Sequence, residues 1–248
     1  MPTIERVQSG GTRAGLARHR AIIATFAVTL FTSAFLLFLI QPLITKMILP
    51  LLGGSPAVWS LALVFFQGVL LLGYAYSHAL VTRLAPRVGV PMHLGVLALA
   101  MISLPISLPA GWQEAPAGGQ QLWLIGLLGV SVGLPFFAVS SNAPLLQSWF
   151  ARTDHPHSSD PYFLYGASNC GSFAALILYP LVVEPLLPLG SQTSFWGIIY
   201  ALLAAMIAAC GFIAWRYGAG RDRSPAAAAS SKAEWPAAPS TRPHPSIN

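Results

Sequence analysis

The sequence predicts an all-α fold: a polytopic transmembrane helical bundle of about six spans with both ends on the cytoplasmic side. Three observations lead there. The 248 residues are 55% hydrophobic and only 8% charged, where an average soluble domain carries about 25% charged residues. The apolar residues fall in long uncharged runs, and the basic residues are confined to the ends and to alternate connections. A soluble core of this size would have to hide more apolar surface than its polar residues can cover, so the run lengths decide the class. The first run, 21–45, has no charge and as a helix reaches about 36 Å, enough for a hydrocarbon layer of about 30 Å. The runs are continuously apolar instead of alternating, which excludes the strands of a membrane β-barrel.

The first span follows a basic segment, 1–20, that holds Arg6, Arg13, Arg18 and Arg20. Its apolar run exceeds the 7 to 15 residues of a signal-peptide core, so it reads as an uncleaved helix. The remaining expected spans are 57–80, 90–108, 122–149, 163–187 and 194–215, completing a transmembrane domain over 21–217. Counting Lys and Arg orients the bundle. The N-terminus carries four, the second connection Arg83 and Arg87, the fourth Arg152, and the C-terminus Arg216, Arg221, Arg223, Lys232 and Arg242; the other connections hold only Lys46. By the positive-inside rule both termini face the cytoplasm, and the membrane is expected to be the bacterial inner membrane. Tryptophans agree: Trp59, Trp112, Trp123 and Trp196 fall at the expected outer interface, Trp149 and Trp215 at the inner one. An indole favours that level because its ring sits in lipid while its N–H stays wet. Residues 218–248, rich in Ala, Pro and Ser, have little to bury and read as a disordered cytoplasmic tail.

Two stretches are alike. PLITKMILPLLGGSPAVW from Pro42 and PLVVEPLLPLGSQTSFW from Pro180 align Pro42 with Pro180, Lys46 with Glu184, Pro50 with Pro188, Gly53 with Gly190 and Trp59 with Trp196. The repeat joins helices that run in the same directions, so it is a parallel hairpin repeat. Convergent hairpin chemistry, a helix-ending proline, a glycine turn and an interfacial tryptophan, produces the same pattern.

The net charge of +6 does not point to nucleic acid, because no basic stripe is interleaved with aromatics. The two cysteines, Cys170 and Cys210, lie in apolar segments and offer neither a disulfide framework nor a cysteine-rich zinc site. No phosphate-cradling loop, nucleophile elbow or zinc-helix motif is present, so no catalytic, cofactor-binding or metal-binding residues are assigned. In the loop ARTDHPHSSDP, Asp154, His155, His157 and Asp160 are metal-capable types, but their spacing matches no established site, and a solvated loop is expected.

Ionisable and polar side chains at membrane depth are the candidate functional residues. Lys46 and Glu184 stand at matching depth and form a candidate ion pair between the first and fifth helices, unless both snorkel to water. Ser140, Ser141, Asn142 and Gln147 approach the same inner level as Tyr165, Ser168 and Asn169. Together with kink-capable Pro135 and Pro144, they are candidates for lining a cytoplasm-facing cavity that binds a small polar ligand. Close helix packing held by interhelical hydrogen bonds explains the same residues. Thr25, Thr29 and Ser33 recur every fourth residue, with Gln41 near the same face, and Gln67 lies mid-span in the second helix. They are candidate pathway residues, although hydroxyls commonly bond back to their own helix and an amide such as Gln67 serves equally as glue between helices.

Three motifs, FLLFLIQPLITKMILPLLGGSPAVW, GLPFFAVSSNAPLLQSWFA and DPYFLYGASNCGS, occur in an order that resembles the membrane-embedded N-terminal part of bacterial fused membrane (MFS-like)/spermidine synthase proteins. The resemblance runs over roughly residues 25 to 215 and implies a polyamine-related system in which such helices precede further spans and an aminopropyl-transferring synthase domain. The chain departs from that pattern after the sixth span, where no glycine-rich cofactor loop or catalytic aspartate follows, so transferase activity is not expected. The implied role is a membrane module that anchors a soluble synthase-like partner or moves a small polar or cationic solute. An independent transporter and an inactive truncated remnant are the alternatives. Besides lipids, the expected partners are that synthase-like domain and a second membrane half or a second copy, because six spans are few for alternating access.

Overall fold

In the computed structural model, residues 3–112, 114–153, 155, 158 and 162–218 are described, with side chains from residue 15 to residue 216. The expected tail and most of the metal-capable loop (Asp154, His157, Asp160) lie outside the described residues. The described chain is all-helical. Its elements are α1 (Thr3–Leu52), α2 (Pro56–Arg83), α3 (Pro86–Met101), α4 (Gln120–Ala151), α5 (Tyr162–Leu186) and α6 (Leu189–Gly218). Among the described residues five of these, all but α3, are long and apolar enough to cross a membrane.

Local sequence accounts for the boundaries. α1 closes at Gly53, whose φ of 70° is open to glycine at little cost and lets its N–H reach the Leu49 carbonyl at 2.9 Å, as in a left-handed C-cap. Ser55 then caps α2, its hydroxyl accepting from the Val58 N–H, with Pro56 in the first turn where a missing N–H costs nothing. Leu84 and Ala85 alone separate α2 from α3. Both are extended, as the residue before Pro86 must be.

α3 is shorter than the expected span 90–108. It begins at Pro86 and stops at Met101, because Pro105 and Pro109 can neither donate to a helical ladder nor let their predecessors stay helical. Its 16 residues cover about 24 Å. The chain that follows is not loose: Ile106 is buried, and Trp112 lies on Trp123 with ring centroids 5.8 Å apart.

Two helices widen into π turns, α4 over Gly129–Gly133 and α5 over Tyr179–Val183. Each widening contains the carbonyl that a proline four residues later leaves without its donor: Ser131 before Pro135 and Leu181 before Pro185. The missing N–H and the clash of the ring with that carbonyl are relieved by a wider turn.

α1 is the central element. It packs along α5 and α6 and touches α2 and α4, while α3 lies against α6 and α4. Phe26, Leu30, Leu36, Leu39, Leu43 and Ile48 of α1 are all buried. The outward faces carry large apolar side chains instead: Leu122, Leu181 and Ile198 are 78%, 70% and 70% exposed. Such surface is a liability in water and the normal lipid-facing wall of a membrane bundle. Trp59 and Trp215 are on that wall, but Trp149 and Trp196 are buried. These two depart from the interfacial belts because their helix faces turn toward the bundle, where the Trp196 indole donates to the Leu36 carbonyl at 3.0 Å.

The closest helix approaches use glycines. A Cβ on Gly171 of α5 would collide with the Phe31 carbonyl of α1, and one on Gly73 of α2 would collide with the Ser140 hydroxyl of α4. Small residues at such crossings let backbones touch where lipid provides no hydrophobic drive for association. Gly171→Leu should therefore lower stability by about 1–3 kcal/mol or more, read as a fall in the thermal unfolding midpoint in detergent. Gly166→Leu, with open space around its Cβ position, should leave the midpoint within a degree or two.

Candidate functional site

The polar residues of the bundle interior meet at one node. Asn142, at the start of the last segment of α4, donates from Nδ2 to the Ser33 hydroxyl of α1 at 3.0 Å. Its Oδ1 lies 2.8 Å from His93 Nε2 of α3. Because Nδ2 is engaged with Ser33, Oδ1 is the acceptor and His93 carries its proton on Nε2. Ser33 donates to the Val139 carbonyl at 3.4 Å. Beside this node Ser77 of α2 contacts the Ser141 and Gly73 carbonyls, each at 2.8 Å. Ser33, Ser77, His93, Ser140, Ser141 and Asn142 are all buried.

The serine hydroxyls of α4 turn back on their own helix: Ser140 and Ser141 both donate to the Phe137 carbonyl, at 2.8 and 2.6 Å. Along α1, Thr25 and Thr29 bond back one turn to Ala21 and Thr25, and Gln41 to Leu37. Thr29 also lies 3.4 Å from Cys210 Sγ of α6. The node therefore ties α1, α2, α3 and α4 together, with α6 joined one turn away. Its members are satisfied by one another and by helix carbonyls, as buried polar groups in lipid must be. On α2, α3 and α4 three buried atoms are exceptions: Tyr76 Oη, His93 Nδ1 and Ser131 Oγ have no hydrogen-bond partner among the described residues.

The structure does not gather the other sequence candidates into this node. Tyr165, Asn169 and Gln67 are exposed on the outer faces of α5 and α2, and Gln147 and Ser168 are half-buried. The reason is helical phase. Residues 165 and 169 share a face, and Gly171, two positions on, is the one turned to α1. His93, in contrast, was not singled out from the sequence although it is fully buried. The signal was present, since an imidazole inside an apolar run is costly unless it has a partner.

At the opposite end from Arg83, Arg87 and Arg152, Lys46 Nζ lies 3.2 Å from Glu184 Oε1, with side chains 36% and 46% exposed. Exposure of that degree limits such a pair to at most about 1 kcal/mol. It pins α1 to α5 at one level more than it stabilises the bundle. The repeat partners of this pair are not in matching conformations. Gly53 makes a left-handed turn, whereas Gly190 lies in the first turn of α6. Trp59 is half-exposed and Trp196 buried.

His155 is buried against Phe150, with ring centroids 5.5 Å apart, and edge-on to His19 at 4.9 Å. Among the described residues, no three His, Cys, Asp or Glu side chains come together as metal ligands.

No protein-family model, curated protein or solved structure matches this chain. The reading of the site therefore rests on its geometry and on the sequence motifs.

The node makes a specific energetic prediction. Asn142→Ala strands the His93 Nε2–H and should cost about 1–3 kcal/mol, seen as a lower unfolding midpoint. The pair His93→Leu with Asn142→Leu removes both polar partners and should cost less than the sum of the single changes. An additive result would show that the two side chains are not coupled.

Proposed function

We propose that the chain is a module of the bacterial inner membrane, crossing it six times with both termini cytoplasmic, that anchors a spermidine synthase-like partner in a polyamine-related system. The link to that system comes from the three sequence motifs. The choice of anchor over solute carrier is carried by one observation: Ser33, Ser77, Ser141 and Asn142 are closed on each other, on His93 and on backbone carbonyls, while Gln67, Tyr165 and Asn169 face away from the interior. A carrier needs polar groups free to exchange water for solute. Here they hold helices together.

Support for six crossings comes from how the ends of α3 and α4 are met. Arg87 at the start of α3 shares a cavity with Trp215 at the end of α6, whereas Gln120 and Leu124 at the start of α4 share one with Ser55 and Val58 in the α1–α2 turn. This supports a crossing by residues 86–119, of which 16 are in α3. Arg83, Arg87, Arg152 and Arg216 all belong to the end that the positive-inside rule assigns to the cytoplasm. Arg152 is fixed there by donating to the Val81 carbonyl at 3.1 Å. Lys46 and Glu184, aligned in the parallel repeat and paired in space, support the placing of α1 and α5 as equivalent outward-running helices.

Single cysteines placed at Gly54 and at Val88, in a background with Cys170 and Cys210 replaced, test the topology. A membrane-impermeant maleimide added to whole cells should label the first and spare the second; labelling of the second would reverse the orientation. The anchor reading predicts that the tagged chain, extracted in mild detergent, co-purifies with a soluble synthase-like protein. It also predicts that proteoliposomes of the chain alone accumulate no spermidine. Uptake that Asn142→Ala abolishes would replace the anchor with a carrier.

A further inference from the structure

α3 and α6 leave a groove of about 390 Å³ between them near the arginine-rich end of the bundle, within the range of about 300–1,000 Å³ typical of small-molecule sites. Its walls are apolar: Val90 and Leu94 on α3, Ala208 and Phe212 on α6. One turn in from Arg87 and Trp215 the two helices meet, where Gly211 approaches Val90 so tightly that a Cβ on the glycine would press into the valine methyl. The groove's side opens to the surroundings of the bundle, since Phe212 and Trp215 are 53% and 47% exposed. Its mouth carries Arg87, and Arg216 follows Trp215 in the last turn of α6.

This is an apolar slot with a cationic mouth. Among the described side chains the carboxylates are Glu114, in the connection between α3 and α4, and Glu184, paired with Lys46 at the far end. Neither is available to neutralise Arg87. A peptide or soluble metabolite would have to enter from the side that faces hydrocarbon. A lipid of the surrounding bilayer reaches the groove from that side without leaving hydrocarbon, and Leu94 and Arg87 stand at successive levels along it. A guanidinium grips phosphate oxygens in a fork, and the Trp215 indole suits the same interfacial level. A second, smaller slot between α2 and α3, of about 200 Å³ with Arg83 at its edge, lies on the other side of α3.

We propose that the α3–α6 groove binds one anionic phospholipid, an acyl chain lying along Val90, Leu94 and Phe212 and the headgroup phosphate held by Arg87. The lipid would complete the packing of α3, the shortest helix of the bundle, against α6. This inference needs the membrane reading but not the synthase-like partner. The bound lipid, not a partner protein, is what the experiment detects.

The purified full chain in detergent is offered equal amounts of phosphatidylglycerol and phosphatidylcholine and examined by native mass spectrometry. Phosphatidylglycerol should be retained over phosphatidylcholine by about fivefold or more, and Arg87→Gln should lower its retention about fivefold. Arg20→Gln, at a basic position outside the groove, should leave retention unchanged, and Ala208→Phe, which fills the slot, should abolish it. Equal retention of the two lipids overturns the proposal. So does an equal loss in Arg20→Gln and Arg87→Gln, because attraction to the whole basic surface would then account for binding. Arg87 is exposed and its replacement leaves the packing intact, so the headgroup comparison stands even where Ala208→Phe fails to fold.

Discussion

Everything in this bundle depends on α1 lying close enough to α5 for the backbone at Phe31 to touch Gly171. That contact brings one helix face within van der Waals reach and helps bury the inward side of α1. With α1 at the centre, Ser33 is carried to the depth at which α4 presents Asn142 and α3 presents His93. A larger residue at 171 would push the helices apart by the width of a methyl group or more, and the hydrogen bonds of the node are too short-ranged to follow. In hydrocarbon the apolar side chains gain nothing by leaving lipid for one another, so close backbone approach and interhelical hydrogen bonds decide the arrangement.

The prolines have a consistent role. Pro135 and Pro185 each deprive one carbonyl of its donor, and in each case the helix answers with a π turn instead of a break. The helix axis is preserved while the faces beyond the turn are rotated. Beyond the first turn the rotated segment of α4 carries Ser140 to Asn142 into the interior. Beyond the second, Glu184 of α5 comes within reach of Lys46. Pro135 and Pro185 therefore reset helical phase, whereas Pro105 and Pro109 end α3.

Polar side chains inside a membrane protein can hold the structure or serve a ligand, and the distinction lies in what they already touch. Asn142, Ser33, Ser77 and Ser141 are committed to partners within the protein. The open cavities lie nearer the ends of the bundle: two at the arginine-rich end, with Arg87 or Arg83 at the edge, and two at the α1–α2 turn, without arginine.

The helical class, the apolar segments and the approximate ends of most helices were legible in the sequence because they follow from local quantities. These are runs of uncharged residues, the Gly-Ser-Pro turn after α1, and Pro86 between two helices. The early end of α3 was legible too, in Pro105 and Pro109, but hydropathy masked it because the residues beyond Met101 stay apolar. Other features were not legible from one chain read in order. Whether Trp196 faces lipid or core, whether Asn169 or Gly171 turns toward α1, and whether His93 finds an acceptor all depend on helical phase and on which helices are neighbours. Two π turns altered that phase. The sequence by itself determined that the chain is helical and which of its segments are apolar. Only the tertiary structure decided which of them share the interior, because in lipid the choice among equally apolar faces is made by close packing and hydrogen-bond partners contributed by other helices.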